Sequence, residues 1–121
     1  MPGLAGAELH GIDDLQQVVE LALAQRRAEL PAAYEILDRQ VARFTDWCAD
    51  HGQTALPASP ETVAAFLAAE ARAELAVNTL RLRHAAIRYL HLLAGYPPPT
   101  AAAVVSTTFA GIRRAHRRPL D

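Results

Sequence analysis

Lysine is missing from this 121-residue chain: all 12 basic residues are arginine, a bias that a GC-rich genome explains and that carries little functional weight. Cysteine occurs once, at Cys48, which excludes an internal disulfide and suits a reducing cytoplasm. Aromatic residues make up only 6%, while apolar residues reach 51%, many of them alanine, a balance that favours helices. No apolar run approaches the roughly 20 residues of a membrane span. The first residues lack the basic and apolar regions of a secretion signal. The expectation is a cytoplasmic protein with no membrane partner. No stretch alternates with period two long enough for a strand. No Ser/His/Asp, Cys/His or phosphate-loop pattern is present. His84 and His91 are too far apart to share one metal ion, and Cys48 has no second ligand at metal spacing. The chain is therefore expected to contain no catalytic residue, no metal site and no cofactor.

What is present reads as an all-α bundle of about five helices in one domain. Residues 1–11 hold three glycines and read as a loose arm. A first helix starts at Ile12-Asp13-Asp14, its acids favourable at the positive end, and runs to about Leu30. Its apolar stripe is Leu15, Val18, Val19, Ala22 and Leu23, available either to the bundle or to a protein partner. Pro31 opens a second helix that carries Leu37, Val41, Phe44 and Cys48 on one face and stops near Gly52. Ser59-Pro60-Glu61-Thr62 starts a third with a serine cap and proline at N1, and Val63, Phe66 and Leu67 face inward. Asn78 and Thr79 are read as caps of a fourth helix, with Leu80, Ile87, His91 and Ala94 along its inner face. Arg81, Arg83 and Arg88 are read as projecting from the rest of its surface. Gly95 and Pro97–Pro99 stop it. Ala101–His116 forms the last, with Val105, Thr108, Phe109 and Ile112 inward.

Charge is unevenly spread. Residues 1–70 carry 4 arginines against 11 acids, whereas residues 71–121 carry 8 arginines against 2 acids. The overall net charge of −1 thus conceals a bipolar surface. An opening helical turn that offers amides, hydroxyls and guanidinium groups suits a phosphate backbone or a groove edge. Arginine pairs with guanine or phosphate, and asparagine reads adenine.

Four segments in order carry a resemblance. They are Phe44-Thr45-Asp46-Trp47-Cys48 with Gly52, Pro57-Ala58-Ser59-Pro60-Glu61-Thr62-Val63, the stretch with Leu75, Val77, Thr79, Leu80, His91, Gly95, Pro97, Pro99 and Thr100, and Gly111-Ile112-Arg113-Arg114-Ala115-His116. Together they resemble the N-terminal core-binding (SAM-like) domain of tyrosine recombinases, the phage integrase family, including Cre-like members. There a Gly-Leu-x-Val-x-Thr-Ile start leads into a helix ending His-x-x-x-Gly-x-Pro-x-Pro-Thr. The resemblance covers roughly Asp38 to Pro119.

The resemblance implies double-stranded DNA as partner, at a recombination site with inverted repeats, and neighbouring recombinase subunits when on DNA. The free domain is expected to be a monomer. Residues 12–117 would be the DNA-binding domain and 118–121 the start of a linker toward an absent catalytic domain, so the chain by itself cuts nothing. The expected DNA contacts are Arg39 and Arg43 on the second helix, Asn78, Thr79, Arg81, Arg83 and Arg88 on the fourth, and Arg113, Arg114 and Arg117 at the C-terminal end. The Leu15, Val18, Val19, Ala22 and Leu23 stripe would meet a neighbouring subunit. The second helix departs from its relatives: Ala33, Glu35 and Asp38 stand where threonine, lysine or arginine is frequent, and carboxylates repel phosphates. Two readings of other classes stay open. One is a small helical protein-interaction module or truncated regulator of a full-length recombinase, which the acidic first 70 residues favour. The other is an enzyme with an unrecognised site, against which the lack of an acid/base pair counts.

Overall fold

The structure, a computed structural model, describes residues 12–117, and within the first helix it describes side chains from Gln17 onward, Val19 excepted. Five α-helices follow in order: α1 (Ile12–Glu29), α2 (Pro31–Asp50), α3 (Pro60–Arg72), α4 (Val77–Ala94) and α5 (Ala103–Arg117). A 3-10 turn, Pro99–Ala101, joins α4 to α5, and no strand occurs among the described residues. The expected all-α bundle is what forms.

The helix boundaries have local causes. Pro31 and Pro60 occupy the first turns of α2 and α3, where a missing N–H costs nothing. The Ser59 hydroxyl accepts the Thr62 amide at 3.1 Å, and the Thr62 hydroxyl in turn donates to Gln53 at 2.9 Å. Helix α4 ends in a Schellman motif. The Tyr96 amide bonds the His91 carbonyl at 2.9 Å and the Gly95 amide bonds that of Leu92 at 3.1 Å. Gly95 takes φ 85°, a left-handed turn that a side chain disfavours. The same conformation recurs at Glu74 (φ 65°), the position at which the resembling motif carries glycine.

The start of α4 differs from expectation. Its N-cap is Ala76, which supplies no side-chain bond, so Asn78 and Thr79 lie inside the first turn instead of capping it. The last helix likewise begins later than the sequence suggests, because the 3-10 turn takes up Pro99–Ala101.

Helix α3 is the centre of the bundle. Its buried residues Thr62, Val63, Ala64, Phe66, Leu67 and Glu70 cover most of its circumference, as expected for a helix surrounded by others. Phe66 packs edge-on against Phe44 at 5.1 Å and Trp47 at 5.4 Å. Leu80 and Ile87 from α4, and Val105, Phe109 and Ile112 from α5, complete the core. Each large apolar side chain removed from water here contributes about 1.5–3 kcal/mol. His91 is fully buried and satisfied twice, its Nδ1 bonding the Ile87 carbonyl at 2.8 Å and its Nε2 accepting the Ala58 amide at 2.9 Å. That fixes the tautomer and ties the α2–α3 loop to α4.

Helix α1 is the most peripheral. Val18 and Leu21 are 57% and 72% exposed, Ala22 is exposed and Leu23 half-buried. The side chains of Leu15 and Val19 lie outside the described residues. No described helix is long and apolar enough to cross a membrane.

Candidate nucleic-acid interface

Helices α2 and α4 pack side by side, and the seam between them is an open apolar groove of about 260 Å³. From α2 it receives Ala33, Ile36, Leu37 and Gln40; from α4, Leu82 and Tyr89. Arg39 and Arg43 on α2 and Asn78, Arg81 and Arg88 on α4 are exposed, with Thr79 half-buried. Arg81 and Arg88 are seven residues apart, two turns, and so share one face of α4 about 10 Å apart along the axis. The first turn of α4 is bare of a capping side chain, so its opening amides keep no side-chain acceptor. Helix dipoles and such amides favour an anion.

Midway along α4, His84 lies close enough to Arg88 and to Arg113 of α5 to feel both charges. The His84 ring stacks on Phe109 at 5.3 Å, and Arg113 lies over the same Phe109 ring at 5.2 Å. Burial first, then the charges of Arg88 and Arg113, push the His84 pKa below its ordinary 6.5. Arg114 and Arg117 are exposed on the last turns of α5.

Arg83 does not project from the surface. Its side chain is 10% exposed and lies against Glu70 of α3, itself 7% exposed, with Nε 2.6 Å from Oε1. This is a charge contact whose angle departs from that of an aligned hydrogen bond. The guanidinium also donates through Nη1 to the Gln40 side-chain oxygen. The reason is periodic: residue 83 falls between Leu80 and Ile87 on the inward face of α4, and Glu70 continues the inward face of α3 after Val63, Phe66 and Leu67. Arg43 reaches the same carboxylate, with Nε 3.4 Å from Oε1, while staying 58% exposed.

A second ionic cluster addresses the acidic character of α2. Arg27 of α1 grips Asp38 with both terminal nitrogens, at 2.9 and 3.0 Å, and also donates to the Tyr89 hydroxyl. Its guanidinium lies over the rings of Tyr34 (5.2 Å) and Tyr89 (5.6 Å). The hydrogen bonds from Arg27 hold the Asp38 carboxyl below the usual carboxylate range. One of the two carboxylates on the first half of α2 is thus neutralised from within the chain, and Glu35 remains exposed. Neither cluster is visible from local sequence, because the partners are 11 to 62 residues apart. The sole local signal was the placement of Arg83 and Glu70 on inward faces.

Among the described residues no group of three metal-ligating side chains forms. Cys48 is buried, and burial raises its thiol pKa.

No family model matches the chain. Among curated proteins it is similar to an integrase/recombinase xerD homolog of Selenomonas ruminantium, 40% identical over 77 residues, which cover 59% of this chain and 21% of that protein. It is also similar over shorter stretches to two glutamyl-tRNA reductases. That of Solidesulfovibrio magneticus is 56% identical over 39 residues, 32% of this chain and 9% of the reductase. That of Desulfovibrio desulfuricans is 47% identical over 47 residues, 39% and 11% respectively. The chain spans about a fifth of the recombinase-like relative's length and about a tenth of the reductases'.

Proposed function

We propose that this chain binds duplex DNA as the core-binding part of a tyrosine recombinase, holding one face of the site while a separate catalytic domain performs the chemistry. The observation that carries this is the exposure of Arg39 on α2 and of Arg81 and Arg88, two turns apart on α4, together with the uncapped first turn of α4 that holds Asn78 and Thr79. The recombinase-like relative supports it with the longest shared stretch among the three, and the four sequence segments fall in the order the resemblance requires. Arg43, Arg113, Arg114 and Arg117 extend the contact to phosphates on either side. In this role Arg83 acts from the interior, as a support for α2 and not as a contact. Helix α1, with Val18 and Leu21 outward, meets a neighbouring subunit when several copies sit on the site.

A second reading has one observation in its favour. The exposed Val18 and Leu21 on α1, together with the apolar seam of Ile36, Leu37 and Leu82, would also suit a protein partner with no DNA involved.

The test is fluorescence anisotropy of the chain with a labelled duplex of about 30 base pairs at about 50 and 200 mM salt, where several phosphate contacts lower affinity by orders of magnitude. Replacing Arg39, Arg81 and Arg88 by alanine should weaken binding and reduce the salt slope by about 3. No binding at the lower salt would sink the DNA reading in favour of the protein partner.

A further inference from the structure

Gln40 occupies an unusual chemical position. Its side-chain oxygen accepts from buried Arg83, whose charge is in turn held by buried Glu70. A guanidinium has donors only, so the carboxamide cannot turn over: oxygen inward, NH2 outward. The other end of the carboxamide, its nitrogen, has no partner among the described residues, and Gln40 and Leu82 line the same groove. Leu82 is 44% exposed, large and apolar, between Arg81 and Arg83 in sequence. Arg39 and Arg43, both exposed, lie one residue before and three after Gln40 on α2, so the same helix brings cationic side chains near a groove that pairs one fixed donor with one apolar side chain.

In the major groove a single base combines an acceptor with a methyl group: thymine, through O4 and C5-methyl. We propose that Gln40 and Leu82 together recognise a thymine of the bound duplex, Gln40 donating to O4 and Leu82 packing on the methyl, with Arg83 and Glu70 as positioning residues that set the direction of the Gln40 amide. This rests on the DNA-binding reading above and assigns part of its sequence preference. Cytosine is rejected because its N4 donor faces the Gln40 donor, and uracil loses the methyl contact alone.

The experiment selects bound sequences from a duplex pool with randomised central positions, using the full chain, then measures affinity on the selected duplex with thymine, uracil or cytosine at the enriched position. Leu82 is exposed and Gln40 half-buried; glutamate keeps an oxygen for Arg83, and the urea midpoints of Gln40→Glu and Leu82→Ala are compared with that of the unaltered chain to show that both variants fold. For the unaltered chain, thymine should exceed cytosine by about tenfold and uracil by about fourfold. Gln40→Glu presents only acceptors and should shift the preference toward cytosine. Leu82→Ala should erase the thymine–uracil difference and keep that between thymine and cytosine. If the chain binds DNA but both variants select the same sequences as the unaltered chain, this inference is overturned and the DNA-binding reading stands. If the chain binds no duplex at all, both fall together.

Discussion

The Glu70–Arg83 contact makes a quantitative prediction. Both side chains are nearly buried, at 7% and 10% exposure, with 2.6 Å between Oε1 and Nε. Removing one partner of a buried pair leaves a charge without compensation and costs about 3–5 kcal/mol. The structure also orders the two single losses. After Arg83→Met, Glu70 retains Arg43 at 3.4 Å, a partner that is still mostly solvated. After Glu70→Met, Arg83 retains only the neutral Gln40 oxygen. Glu70→Met should therefore fall at the upper end of the range and Arg83→Met at or below the lower end. The double Met variant fills the same volume without desolvated charge, and should lie near the parent or above it in stability. The assay is urea unfolding followed by the fluorescence of Trp47, the single tryptophan, with helical circular dichroism as second probe. For a domain of about 5–15 kcal/mol stability these changes are large. A coupling energy below about 0.5 kcal/mol, with the two single losses simply adding, would refute the burial and pairing on which the reasoning depends.

Other consequences are checked on the same instrument. Glu74→Gly should stabilise the fold by about 1 kcal/mol, since φ 65° strains a residue with a Cβ, and an unchanged or lower urea midpoint would count against that turn. Arg27→Ala should cost only about 1 kcal/mol despite its bidentate grip, because Arg27 and Asp38 are 36% and 52% exposed and water screens the pair; a loss above about 3 kcal/mol would mean the cluster is more deeply sequestered. That contribution is present above the ordinary carboxylate pKa and disappears as pH falls through the lowered Asp38 value, so Arg27→Ala should flatten the acid limb of the stability profile. His84 has the same proton preference from a different cause: burial lowers its folded pKa, so below about 6.5 the unfolded chain takes up a proton that the folded chain refuses. Stability should decline from pH 6.5 down to the folded pKa, and His84→Gln should remove part of that slope; an identical slope in the variant would place His84 in water.

How much could be read beforehand differs from element to element. The start of α3 was fully legible, because Ser59, Pro60 and Thr62 act within four residues of one another. The end of α4 was legible for the same reason, through Gly95. Its start was not. Asn78 and Thr79 are good caps by residue type, yet the chain enters the helix two residues earlier at Ala76, where Glu74 turns the backbone left-handed. Local preference proposed a cap, and the geometry of the α3–α4 turn decided against it. Among the candidate contacts, Arg39, Arg81 and Arg88 lie at the surface as their residue type suggests, while Arg83 follows the stripe it shares with Leu80 and Ile87.

The sequence by itself determined the fold class, the helix count and most helix ends. Those depend on backbone propensity, proline and glycine geometry and apolar period, all set within a few neighbouring residues. Only the tertiary structure decided which charges are free to meet a ligand. Whether an arginine faces solvent or a buried carboxylate depends on residues far along the chain, such as Glu70 for Arg83 and Asp38 for Arg27. The Coulomb energy of such a pair, and hence its commitment, is set by distance and burial once the helices have packed.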